Sequence, residues 1–95
     1  MRKVIQVFEK TPPEDLDYKV NWDRELNGAT VASSTWEVSN DLGITARSQT
    51  DNQTAIVLNG GQAGQSYMVR NVVEDSNGLT LSISFRVNVV EHLSR

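Results

Sequence analysis

The sequence predicts an all-β protein, and three observations carry that prediction. Tyr67 to Val90 reads as one long hairpin. In its second half Leu79, Leu81, Ile83, Phe85, Val87 and Val89 alternate with Thr80, Ser82, Ser84, Arg86 and Asn88. A period of two, with one apolar and one polar face, marks a half-buried antiparallel strand. Secondly, seven segments of strand character follow one another, with turn residues every ~8–12 positions in the middle of the chain. Thirdly, no segment shows the long 3.6-residue periodicity of a helix.

Taken in order, Lys3 to Glu9 is a short strand built on Val4, Ile5, Val7 and Phe8. Pro12-Pro13 follows, which cannot donate to a ladder and stiffens the chain. Residues 1–13 therefore form either an ordinary first edge strand or an arm set off from a body at 14–95, and an arm of this kind adds to the sheet of a neighbouring subunit. Leu16, Tyr18, Val20 and Trp22 alternate with Asp17, Lys19, Asn21 and Asp23, a strand pattern. Asp23 to Gly28 is a turn with room for one helical turn before the glycine. Ala29 to Ser39 is a strand whose Trp36 brings the largest apolar surface and is expected in the core. Asn40 to Gly43 is a turn, Ile44 to Arg47 a short strand, and Ser48 to Gln53 a polar loop. Thr54 to Leu58 is almost wholly apolar and is expected to be covered on both faces. Asn59 to Gln65 holds three glycines and reads as a flexible turn into the final hairpin. Within that hairpin Tyr67, Val69 and Val73 point one way, and Met68, Arg70, Val72 and Glu74 the other. Asn77-Gly78, the pair that best tolerates positive φ, is expected to make a tight turn.

An apolar face that long needs a second sheet over it. Strand number and turn spacing point to an immunoglobulin-like β-sandwich, with a small β-barrel as the alternative. Trp36 stands without the cysteine pair that antibody domains place beside it, so a disulfide-free version is expected. Tyr67, early in the penultimate strand, sits where such folds often carry a corner tyrosine.

Composition removes several functions. The 95 residues make one domain with one modest core, and hydrophobic content of 38% with charged content of 22% fits a soluble globular protein. With no cysteine, the fold rests on its core alone and suits a reducing compartment. Net charge is −3 and no basic cluster exceeds Arg2-Lys3, so a nucleic-acid partner is not expected. No apolar run approaches the ~18–20 residues of a membrane helix, and the charged, alternating start does not resemble a signal peptide, so export by that route is not expected.

Catalytic and metal motifs are also missing. Glu14, Asp15, Asp17, Asp23 and Glu25 lack the glycine-centred loop and closing Glu of a calcium site and read as a solvated face. Ser33-Ser34-Thr35 has no nucleophile elbow, and the one histidine, His92, lies near the chain's end. The glycine loop lacks both phosphate-loop spacing and a lysine. The reading is a protein with no catalytic, cofactor or metal residues. Candidate partner contacts are Val4, Ile5, Val7 and Phe8 of the first strand, with Tyr18 and Trp22 as aromatic anchors, unless these serve the core.

The order of motifs carries a resemblance. Phe8-x-Lys10-x-Pro12, Leu16-Asp17-Tyr18-x-x-x-Trp22, Thr35-Trp36-x-Val38, Leu58-Asn59-Gly60-Gly61-x-Ala63-Gly64-x-x-Tyr67-x-Val69 and Asn77-Gly78 follow one another. Over roughly residues 8–90 this resembles small tailed-bacteriophage virion proteins of the fibre–tail adaptor or head-decoration type. The resemblance implies a non-enzymatic structural subunit of the virion, made in the host cytoplasm. It implies partners among the tail, fibre or capsid proteins and a homo-oligomer in the particle. It transfers no binding residue. The alternative is a carbohydrate- or cell-surface-binding module on the same sandwich, for which Trp22 with Asp23 is the candidate patch.

Overall fold

A computed structural model describes residues 6–39 and 42–92. Seven strands and one short helix run in the order β1 Gln6–Lys10, β2 Leu16–Asn21, α1 Asp23–Leu26, β3 Val31–Val38, β4 Leu42–Gln49, β5 Gln53–Gly60, β6 Ser66–Asp75 and β7 Thr80–Val89. They form two open sheets, β1-β7-β6-β3 and β2-β5-β4, and so a sandwich rather than a barrel. β2-β5-β4 lie in one sheet and β3-β6-β7 in the other. The first strand lies in parallel beside β7, with Phe8 opposite Val87 and Lys10 opposite Val89.

Alternation along β6 and β7 decides what lies inside. Tyr67, Val69, Asn71, Val73 and Asp75 of β6 are buried, while Met68, Arg70 and Glu74 are exposed. Phe85, Val87 and Val89 of β7 bury beside them. Thr54, Ile56 and Leu58 of β5 face them from the other sheet with no exposure at all. Val20, Trp22, Leu26, Val31, Trp36 and Leu42 complete the core among the described residues. Removing this much apolar surface from water is the main stabilising contribution. The outer positions of β5, Ala55 and Val57, are only half-buried, so this strand is covered fully on one face alone.

The hairpin turn differs from the tight two-residue form. Gly78 alone takes positive φ, +83°, and Asn77 does not. The Gly78 amide donates to the Asp75 carbonyl (3.0 Å) and the Asp75 amide to the Leu79 carbonyl (2.9 Å). This is a three-residue loop with glycine at its left-handed position. The Asp75 carboxylate explains the choice: it accepts from the amides of Asn77 and Leu79, both at 2.9 Å, and fixes the longer loop. β4 is also longer than its apolar pattern indicates. Ser48 and Gln49 continue the ladder opposite Ala55 and Thr54, because backbone pairing rather than burial holds this strand. The Ser48–Gln53 loop therefore shrinks to Thr50-Asp51-Asn52, closed by the Thr50 amide on the Gln53 carbonyl at 2.8 Å.

A buried polar chain crosses the core. The Trp22 indole donates to Thr54 Oγ1 (2.9 Å), and the Thr54 hydroxyl donates to Asn71 Oδ1 (2.6 Å). The Asn71 amide donates in turn to Ser34 Oγ (2.9 Å) and to the Thr35 carbonyl (3.1 Å). Thr54 belongs to one sheet and Asn71 to the other, so the chain ties them face to face. Asn71→Leu keeps the branching of the side chain, adds apolar volume, and takes the Asn71 partner from the Thr54 hydroxyl and the Thr35 carbonyl. We expect a loss of about 2–4 kcal/mol in urea unfolding, against less than about 0.5 kcal/mol for Thr80→Ala on the exposed face. Equal midpoints for the two variants would contradict this role.

Candidate docking surfaces

The first strand and the second bring two of the sequence-predicted contacts, Phe8 and Tyr18, together. Phe8 of β1, Tyr18 of β2 and Phe85 of β7 make one aromatic cluster. Tyr18 and Phe85 lie 4.0 Å apart between ring centroids, tilted by 33°, and Phe8 meets both edge-on at 5.0 and 5.5 Å. Phe85 is fully buried, whereas Phe8 and Tyr18 are half-exposed. Edge-on and offset packing of this kind suits the aromatic quadrupole. The Tyr18 hydroxyl reaches over the cluster and donates to Gln6 Oε1 at 2.7 Å. Phe8, Tyr18, Asn21 and Ile83 line an open groove of about 530 Å³ between β1 and β2. Val7, on the opposite face of β1, is 52% exposed beside Arg86. Val4 and Ile5 lie outside the described residues.

Trp22 does not join this surface. It is 3% exposed and its indole N–H is committed to Thr54, so it belongs to the core and cannot anchor a partner. The proposed Trp22–Asp23 glycan patch loses its aromatic face for the same reason. An alternating pattern cannot tell the inward side of a strand's last residue from the outward one. The Thr54 acceptor, distant in sequence, settles it here.

Lys10 was legible only as a residue before the prolines, yet it pins the first strand. It is 1% exposed, and its ammonium donates to the carbonyls of Thr11 (2.8 Å), Pro12 (3.2 Å) and Gly60 (2.6 Å). Burial lowers its pKa, an effect that Glu14 and Asp15 oppose in part. The Lys10 carbonyl accepts from Val90 (2.9 Å), so both ends of this residue hold β1 to the body. The glycine loop is packed rather than loose at one point. Gly61 has φ +89°, and a Cβ there would meet Val89 at 2.8 Å and Tyr67 at 3.2 Å. Tyr67 ties this loop to β6: its hydroxyl accepts from the Gln62 amide at 2.9 Å.

The other residues weighed for chemistry are scattered. Asp15 is held by Asn59 (2.6 Å) and Asp23 by Asn52 (2.9 Å), while Asp17 is exposed on β2. Among the described residues no three carboxylate, histidine or cysteine side chains gather as a metal site. Ser34 accepts from Asn71 inside the fold, and His92 is exposed on the far side of Val89 in sequence. No described helix is long and apolar enough to cross a membrane.

The described residues thus form a two-sheet sandwich with open edges and half-exposed aromatics between its sheets. The family model of the podophage GP4 fiber-tail adaptor protein gp77 matches residues 10–88. The chain belongs to that family, a family of structural phage proteins. No curated protein matches the sequence.

Burial of the Tyr18 ring raises its phenol pKa above the ordinary value of 10.0. The unfolded phenol ionises first, so its contribution to stability is complete below pH 10 and is lost as pH climbs through the higher folded value. Thermal unfolding across the alkaline range is expected to show a fall for wild type that is reduced in Tyr18→Phe. Parallel curves for the two proteins would show that Tyr18 does not set the alkaline limit.

Proposed function

We propose that this protein is a non-enzymatic adaptor of a podophage virion, holding fibre to tail through protein–protein contacts. The family match over residues 10–88 carries the reading. The geometry supports it: the strands leave four free edges among the described residues, and the open groove beside β1 exposes parts of Phe8 and Tyr18. Edge strands offer unpaired backbone groups, and aromatics are favoured anchors in interfaces. In this reading Val7, Phe8 and Tyr18, with Val4 and Ile5 before them, meet one neighbour in the particle. Several symmetric copies act together, since closed symmetry is the common state of such assemblies.

The test is genetic. A phage from which this gene is deleted should assemble particles whose tails lack fibres in electron micrographs. Adding the purified protein to those particles, together with fibre protein, should restore them. Fibres on the deletion particles would overturn the adaptor reading.

A further inference from the structure

An adaptor joins two neighbours, and the groove beside β1 and β2 accounts for one side of the sandwich only. The opposite side carries a feature that the fold itself does not need. Seven of the eight residues of β4 are exposed, on both faces of the strand. Its partner β5 pairs with one edge, and the strand order leaves the other edge open. Arg47 lies opposite Ile56, which is fully buried, so Arg47 stands on the side of β4 that faces the other sheet. It does not fill the core. With Ser34, Trp36, Ser48 and Gln49 it lines a groove of about 290 Å³ between β3 and β4.

The edges differ in how they are blunted. β1 carries the charge of Glu9 at an exposed position, and β2, across the groove, those of Asp17 and Lys19. β3 is bulged between Val31 and Ser33, and its Glu37 lies 4.0 Å from Arg70. Short length, charge and bulges are the usual protections against added strands. β4, like β3, has eight residues, no proline, one charge and one bulge, here between Ile44 and Ala46. The β4 charge, Arg47, has no ion-pair partner among the described residues.

We propose that β4 is the docking edge for the second neighbour, an extended segment of another virion protein that adds to β4 and sets a carboxylate on Arg47. Backbone pairing along the edge supplies affinity, and the Arg47 groove supplies selectivity. Charge complementarity picks this occupant. The groove lining contains no acid to answer Arg47, and a second copy's β4 would bring another arginine and no acid. The proposal rests on the adaptor reading and extends it from one docking side to two.

Virions carrying p-benzoylphenylalanine in place of Ser48, or of Thr80 on the outer face of β7, would be irradiated and the cross-linked peptides sequenced. Position 48 is expected to capture an Asp- or Glu-bearing segment of a different virion protein, and position 80 is not. Arg47→Glu should lower the copies retained per particle about tenfold or more, while Arg47→Lys retains at least about half. Both variants should unfold at the wild-type temperature, since Arg47 is exposed. Particles that contain the protein but give only self-conjugates or none from position 48, or an Arg47→Glu variant retained like wild type, would overturn the docking edge and leave the adaptor reading standing. Absence of the protein from particles would overturn both.

Discussion

The contact between Thr54 and Asn71 is the constraint on which the rest of this structure depends. Two apolar sheet faces can slide over one another with little change in buried area. A hydroxyl and an amide that must meet across the interior cannot. Because Trp22 donates into this pair and Ser34 and Thr35 receive from it, four segments far apart in sequence are fixed at once. The chain leaves no buried side-chain donor or acceptor unsatisfied among the described residues. A fold without disulfides thereby gains a unique sheet-to-sheet register from four small or amphipathic side chains.

That register decides where the edges fall. With the sheets fixed, β1 and β2 flank one open groove, and β3 and β4 flank the other. Lys10 does for the first side what Asn71 does for the interior. Its ammonium gathers three carbonyls from the Pro-Pro turn and from the end of β5, so the first strand cannot drift from β7. The two open sides are thus held at a set separation by the core, which suits the proposed role of a part that joins two larger bodies.

The strands were legible because alternation is a direct print of burial. The hairpin of β6 and β7 and the buried Trp36 and Tyr67 all follow from period and position. Three features were not legible, and each depends on a partner distant in sequence. Trp22 fits an exposed anchor as well as a buried one until Thr54 is placed 32 positions on to receive its N–H. Lys10 looks like a solvated lysine until Gly60 presents its carbonyl. Ser48 and Gln49 look like loop because their side chains are polar, whereas their backbones pair with β5. In the turn after β6, Asn77-Gly78 signalled a reversal correctly, but the carboxylate of Asp75 set its length. Val7, Phe8 and Tyr18 were singled out as contact candidates by residue type, and the structure leaves Val7 exposed and the two rings half-exposed. The β4 edge carried no compositional mark, since exposure on both faces of a polar strand is invisible in one dimension.

The most direct test is the structure of the tail–fibre junction in the intact virion by cryo-electron microscopy. The account predicts this sandwich between tail and fibre, with the β1–β2 side against one neighbour and the β4 edge against the other. Density placing it elsewhere on the particle, or touching a single neighbour through an outer sheet face with both edges in solvent, would contradict it.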